Sequence, residues 1–440
     1  MIRDWFHHIF DHETPTSYQF GRSINASVNP KEPELFEASA KAFEDEKIIE
    51  GYSHFLRSLQ NFNADTANHN ITLTQDTDTL RFELLQGSAN IRGIITEKSI
   101  EAECLMADAA KTHVAIKRRL LERNYQLTYC RFFTDEGTIK LKIRLDNTTM
   151  TPQKIFFPLR EIALNADFEK EYIASEFSDE ALLDTHHVIA IDEDEKKLKY
   201  RFLKEWTKAC QESIKRLPSD DNAGMVAFTY LTLLLQVDYL TVPKKKIGQK
   251  IVRNITEYFS DDNRPVERKN AELQNYVTTL HELSYEEFAP QLYNLTVTFS
   301  PMERATHEEI IIFIDETLSK IRWYKNNRYS RVILTIYRYI AFYLLYNYGL
   351  HPSLRSLLHL VVEVHHADYF EALDLKPLYH ASTGQFEKRQ IISRIDKIIA
   401  PYQQQFKQLE PFGEALAFDS LEQFSHDFYL QLKHLDYTEV

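Results

Sequence analysis

The sequence predicts an α+β domain, an antiparallel sheet flanked by helices, followed by an all-α helical domain. Three observations lead there. Between residues 71 and 145 apolar side chains recur at every second position, the period of half-buried strands. Beyond about residue 195 that alternation almost vanishes and apolar residues return at helical spacing. The 440 residues are 43% hydrophobic and 27% charged, with 28 Phe and 24 Tyr, an ordered composition long enough for two or three cores. The acidic-to-basic run Asp192-Glu-Asp-Glu-Lys-Lys197 places the division between 1–185 and 190–440.

Each element has its own signature. Ile2, Trp5, Phe6, Ile9 and Phe10 recur at helical spacing, predicting a short amphipathic helix docked on its own domain or, as the alternative, on a partner or membrane surface; the stretch lacks the continuous apolar run and cleavage site of a secretory signal. Pro33 opens a helix to about Gln60, with Leu35, Phe36, Phe43, Ile48, Tyr52, Phe55, Leu56 and Leu59 on its apolar stripe. Strands follow at Ile71 and Leu73, at Leu80 to Leu84, at Ile91 to Ile95 and at Ile100 to Met106, with Asp76–Asp78 and Gly87–Asn90 as turn residues. Ala109 to Arg123 reads as a helix. Tyr125–Phe133 and Thr138–Leu145 read as a hairpin closed by Thr134-Asp-Glu-Gly137, and a helix from about Leu164 to Phe177 ends the domain after Pro152 and Pro158.

The second half reads as helices over 195–217, 221–241, 244–260, 264–282, 285–299, 301–325, 328–348, 353–373, 385–408 and 415–435. Ser284…Glu287 and Ser300…Glu303 match the capping box, and Ser420…Gln423 is a third match that falls inside the last span. No repeat period is present, which favours an irregular bundle over a solenoid. The apolar run Ala223–Val237 falls short of the roughly 20 residues that cross a bilayer, and Val332–Tyr348 carries Arg338, so no membrane span is expected.

The piece Lys117-Arg-Arg-Leu-Leu-Glu-Arg-Asn124, then Tyr125–Phe133, Asp135-Glu-Gly137, Thr138–Leu145 and the closing helix resembles the bacterial YbjN-type, type III secretion chaperone-like fold. There a helix ending in Asn leads into a hairpin with an acidic-Gly turn and then a helix. The resemblance covers about residues 33–177 and departs at the insert Asn147–Pro158 and in the large C-terminal extension. It implies a non-enzymatic module that binds another protein and often pairs with a second copy.

Several chemistries lack their signatures. Only 10 Gly occur, against a usual share of roughly 7%, and none lies in a dinucleotide or P-loop pattern. Nucleophile-elbow and zinc-helix motifs are missing too, so we expect no cofactor and no enzymatic activity. A net charge of −13 repels a phosphate polymer and works against nucleic-acid binding. Cys104, Cys130 and Cys210 lack metal-binding spacing and read as buried thiols of a reducing, cytoplasmic protein.

One stretch stands out. Between Glu316 and Glu363 there is no acid, while Lys325, Arg328, Arg331 and Arg338 fall on one side of a helical wheel and Ile333, Ile336, Tyr337, Ile340 and Leu344 on the other. This cationic face is the first candidate binding surface, for an acidic protein or, alternatively, for a phosphate ligand or nucleic acid stacked on Tyr324 and Tyr329. The bland alternative is neutralisation by Glu303, Glu308, Glu309, Asp315 and Glu316. An exposed strand edge is the second candidate. Glu363 and His366 share a helix face with metal-ligand spacing, but one such pair is insufficient and no metal is expected.

Overall fold

The computed structural model of the chain describes residues 18–21, 31–61, 69–177, 179–217, 223–260 and 262–439. The amphipathic segment expected over residues 2–10 lies outside them.

The expected first helix is two, α1 (Glu32–Glu44) and α2 (Ile48–Ser58). The chain breaks at Asp45–Lys47, where Glu46 adopts φ 59°. This break folds α2 back on α1. Gly51 permits the close approach, since a Cβ there would stand 2.8 Å from the Phe43 ring. Strands β1 (Ile71–Gln75), β2 (Leu80–Gln86), β3 (Ala89–Ile95) and β4 (Ser99–Asp108) form the expected meander. Helix α3 (Val114–Arg123) then leads to the hairpin β5 (Arg131–Asp135) and β6 (Thr138–Asp146). All pairings are antiparallel, and the spatial order is β1-β2-β3-β4-β6-β5.

Helix α4 (Pro152–Glu176) starts a dozen residues before the expected Leu164. Thr151 caps it by accepting the Lys154 N–H, and Pro152 occupies the first turn, where its missing donor costs nothing. Pro158 sits inside α4, buried against the core. Packing there outweighs the one backbone bond a proline removes. Leu80, Phe82, Leu84, Ile91, Ile95, Ile100, Ala102 and Cys104 form the buried side of the sheet, in one core with Phe55, Leu56, Ile155, Leu159 and Ile162 of the helices.

A linker containing β7 (Ile189–Ala190) leads into the helical region. There α5 (Glu193–Lys215), α6 (Ala223–Thr241), α7 (Lys245–Phe259), α8 (Val266–Glu282) and the short α9 (Tyr285–Phe288) precede β8 (Tyr293–Asn294), which pairs with β7. After α10 (His307–Asn326) come α11 (Ile333–Asn347), α12 (Pro352–His365) and α13 (Ala367–Ala372). The paired β9 (Tyr379–His380) and β10 (Gln385–Phe386), α14 (Lys388–Ile399), β11 (Phe406–Gln408), α15 (Leu421–Lys433) and β12 (Asp436–Glu439) complete it. Helix α6 is long and apolar enough to cross a membrane by length and composition, and it is largely buried within the bundle, against α5, α8 and α11.

The expected helix 385–408 is reduced to α14 between two short strands, 353–373 is divided into α12 and α13, and three further boundaries differ for local reasons. Residues 285–299 form one helical turn and then an extended strap. Ser284 and Glu287 make their capping box, but Pro290 and the pairing of β8 end the helix. Helix α10 is opened by the capping box Thr306…Glu309 rather than Ser300…Glu303. Ser420 is the true N-cap of α15, accepting the Gln423 N–H, so the last helix starts later than expected.

The two cores exchange a side chain each. Phe299 packs in the sheet core although it lies in the helical half. Phe20, numbered within 1–185, packs in the helical core. Phe299 is fixed by Gln86, whose Oε1 accepts the Phe299 N–H at 2.7 Å and the Thr298 N–H at 3.0 Å while its Nε2 donates to the Phe299 carbonyl at 3.2 Å.

Candidate functional site: an open sheet face and a sealed histidine centre

The four cations of the candidate face are distributed over separate elements. Helix α10 ends at Asn326 and α11 begins at Ile333, with Arg328 at φ 64° in the break, so the single helical wheel does not exist. Lys325 pairs with Glu422 of α15 at 2.5 Å, not with any of the acids anticipated from sequence. Arg331 donates to the Arg216 carbonyl at the end of α5, capping that helix. Arg328 is exposed. Arg338 turns inward, donating to Thr335 Oγ1 at 3.2 Å while its buried Nε has no partner, and burial lowers its pKa. Tyr324 is buried; the half-exposed aromatic is Trp323, stacked on Tyr329 at 6.1 Å. A wheel drawn through the break hid it.

A broad concavity lies on the face of the sheet that no helix covers among the described residues. It encloses about 530 Å³ and is lined by Thr72, Thr74, Arg81, Glu83, Arg92, Ile94, Glu101, Glu103 and Lys142. Alternation dictates this lining, because successive side chains of a strand point to opposite faces and the other face holds the core. The charges are laced across strands: Arg92 meets Glu83 at 3.2 Å, Lys142 meets Glu101 at 2.7 Å, and Arg144 meets Glu101 at 3.4 Å. The Lys142 ammonium holds the Glu101 carboxyl below its usual range. Ile94 stands 42% exposed among them. Arg92 also reaches Asp184 of the linker at 2.7 Å, which ties the linker to one end of the face.

The two outer strands differ. On β1 the backbone groups of Asn70, Thr72 and Thr74 turn toward β2, which leaves Ile71, Leu73 and Gln75 facing outward. Gln60 Nε2 donates to the Ile71 carbonyl at 2.8 Å, so among the described residues the open stretch is Leu73 to Gln75. On β5 the outward Phe132 is closed by the side chain of Asn124, so the second sequence candidate survives on one edge and is blocked on the other.

Titratable side chains from distant segments do meet inside the helical domain. Tyr239 Oη lies 2.9 Å from His359 Nδ1, His359 Nε2 lies 3.2 Å from Glu363 Oε1, and Arg394 clasps Glu363 with two bonds, one of 2.7 Å. Burial pushes the His359 imidazole down to about 4, so it is neutral: Tyr239 donates to Nδ1, and Nε2–H donates to the carboxylate. A tyrosine, a histidine and a carboxylate in series can pass a proton. Among the described residues they are closely packed. The Phe20 ring packs on His359 at 5.0 Å, and the void beside Tyr239 is about 10 Å³, room for at most one water. The i, i+4 spacing of His359 and Glu363 was the sequence signal for this centre. The Glu363 and His366 pair, judged insufficient for a metal from the sequence, is engaged as follows: Glu363 serves Arg394 and His359, His365 bonds Ser425 Oγ at 2.7 Å, and His366 Nε2 is buried without a partner.

Cys104, Cys130 and Cys210 are all buried and unpaired, and burial raises the Cys104 thiol to about 11, which makes it a poor nucleophile at neutral pH. No protein-family model matches the chain, and no curated protein matches it.

Proposed function

We propose that the protein is a non-enzymatic, cytoplasmic adaptor of the type III secretion chaperone-like kind, and that its N-terminal domain grips another protein. The observation that carries this reading is the sheet face: one side builds the core, while the other is a wide groove with an exposed apolar residue, Ile94, inside a ring of fixed charges. Such a surface suits a macromolecule better than a small metabolite, which is usually enclosed on most of its area. The neighbouring open edge of β1 offers main-chain donors and acceptors to an added strand, either from the partner or from a second copy in a homodimer. Three buried, unpaired thiols accord with a reducing compartment.

Affinity capture from cells expressing the chain tests it. The intact protein should retain a stoichiometric protein, and Ile94→Asp should release it without changing the circular dichroism spectrum. Failure of the intact protein to retain any stoichiometric protein would count strongly against the proposal. The alternative, phosphate or nucleic-acid binding through Lys325, Arg328, Arg331 and Arg338, has less support, because Lys325 and Arg331 are already engaged and Arg338 is turned inward. Binding to a polyanion that collapses between low and moderate salt would favour it.

A further inference from the structure

Residues Tyr18–Gly21 form a short strap on the helical domain, far in sequence from everything they touch. Each position is read by different chemistry. Tyr18 packs at the edge of the helical core, where burial and the carboxylates Glu195, Asp374 and Asp192 raise its phenol pKa. The Gln19 amide makes a two-bond pair with the backbone of Leu295, donating to its carbonyl at 2.6 Å and accepting its N–H at 3.0 Å. The Phe20 ring, 3% exposed, sits 5.0 Å from His359 and 5.1 Å from Phe370. Gly21 adopts φ 57°, donates its N–H to the Tyr239 carbonyl in the last turn of α6 at 2.7 Å, and lies so close to that ring that a Cβ would stand 2.7 Å from it.

We infer that this groove, bounded by α6, α12, α13 and the Leu292–Leu295 segment, is a peptide-recognition slot that the chain fills with its own Tyr18–Gly21. It takes in trans a partner segment carrying glutamine, an aromatic ring and glycine in that order. A side-chain amide matched to one backbone unit fixes register, an aromatic cage fixes the next residue, and a left-handed position against a tyrosine ring excludes every side chain. General hydrophobic packing of a tail requires none of these three together. The inference goes beyond the adaptor reading and uses a different surface.

A tethered segment holds its slot at an effective concentration on the order of millimolar. A labelled peptide spanning Pro15–Ser23 should therefore be excluded from the intact chain and admitted when the strap is weakened. Titrated by fluorescence polarisation against the full chain carrying Gln19→Ala and Phe20→Ala, the peptide should bind saturably and at least tenfold tighter than to the intact protein. A peptide carrying Phe20→Ala or Gly21→Ala should lose that binding. The milder Gln19→Ala chain provides a second route: amide exchange at Leu295 should quicken several-fold, and adding the peptide should restore its protection. Equal binding to intact and strap-weakened chains, indifference to the peptide's Phe20 and Gly21, or unchanged exchange at Leu295 overturns the inference. Ile94→Asp leaves the slot untouched, so loss of the sheet-face reading and loss of this one are distinguishable.

Discussion

Asn124 stands in for a missing strand on Phe132. Its Oδ1 accepts the Phe132 N–H at 2.7 Å and its Nδ2 donates to the Phe132 carbonyl at 2.9 Å, the two bonds a neighbouring strand would make at that position. An unpaired edge is a template for association, and a side chain that satisfies both groups blocks it near the start of β5.

Replacing Asn124 by Ala should therefore have two effects. Stability should fall by about 1–3 kcal/mol, two net hydrogen bonds with some solvent access on the exposed edge, measured by urea denaturation. Self-association should rise with concentration in sedimentation velocity, because β5 then presents open groups. Asn124→Asp should be the more destabilising change at neutral pH, since a carboxylate oxygen would face the Phe132 carbonyl with no proton to share. A variant as stable and as monomeric as the parent would show that Asn124 is incidental.

The exchange of Phe299 makes the sheet core depend on the helical half. Phe299→Ala should cost about 3–5 kcal/mol, the range for emptying a buried aromatic site. Its effect should extend to Gln86, whose amide loses its ordered partner backbone, so amide exchange should accelerate at Thr298 and Phe299. A cost under about 1 kcal/mol would mean that the strap repacks without loss.

Arg338 is a partly buried cation whose guanidinium is held by one hydroxyl, with its Nε buried without a partner beside neutral histidines, which is an unfavourable arrangement. Arg338→Met keeps the stem's packing and removes the charge, and it should raise stability by about 1 kcal/mol or more. If the change instead destabilises strongly, Asp368, which acts on Arg338 electrostatically, is a true partner. Acid denaturation of the same variant should shift to lower histidine sensitivity, because Arg338 also disfavours protonation of His365 and His366.

Period-two alternation made the sheet and its buried side legible in the sequence, and it equally determined the open face, since the residues between Leu80, Phe82 and Leu84 must point away. The groove was not read as a site because alternation describes one strand, whereas a concavity needs five strands in register. The cationic face failed for a related reason: a wheel assumes an unbroken helix, and no proline or glycine marks the break at 327–332. There the chain reverses through Arg328 in a left-handed conformation and a turn at Tyr329. Phe20 and Phe299 illustrate the limit most plainly, since each joins the core that is remote in sequence, beside a glutamine side chain bonded to distant backbone, which composition does not encode.

His365 gives the molecule a predictable acid limb. Burial, with Arg338 beside it, depresses its imidazole from 6.5 to about 3 in the folded protein. The unfolded chain therefore binds the proton more tightly, and the stability that depends on neutral His365 is fully present above pH 6.5 and is lost as pH falls toward 3. His365→Gln keeps an amide able to bond Ser425 but cannot titrate. The difference in unfolding free energy between the two proteins should be constant above pH 7 and should shrink as pH falls below about 6, by up to about 1.4 kcal/mol per pH unit, the weight of one proton. Comparing the two proteins cancels the carboxylates that titrate in the same range. Parallel stability curves from pH 7 to pH 4 would show that His365 keeps an ordinary affinity for protons inside the bundle, and that the ring reaches water there.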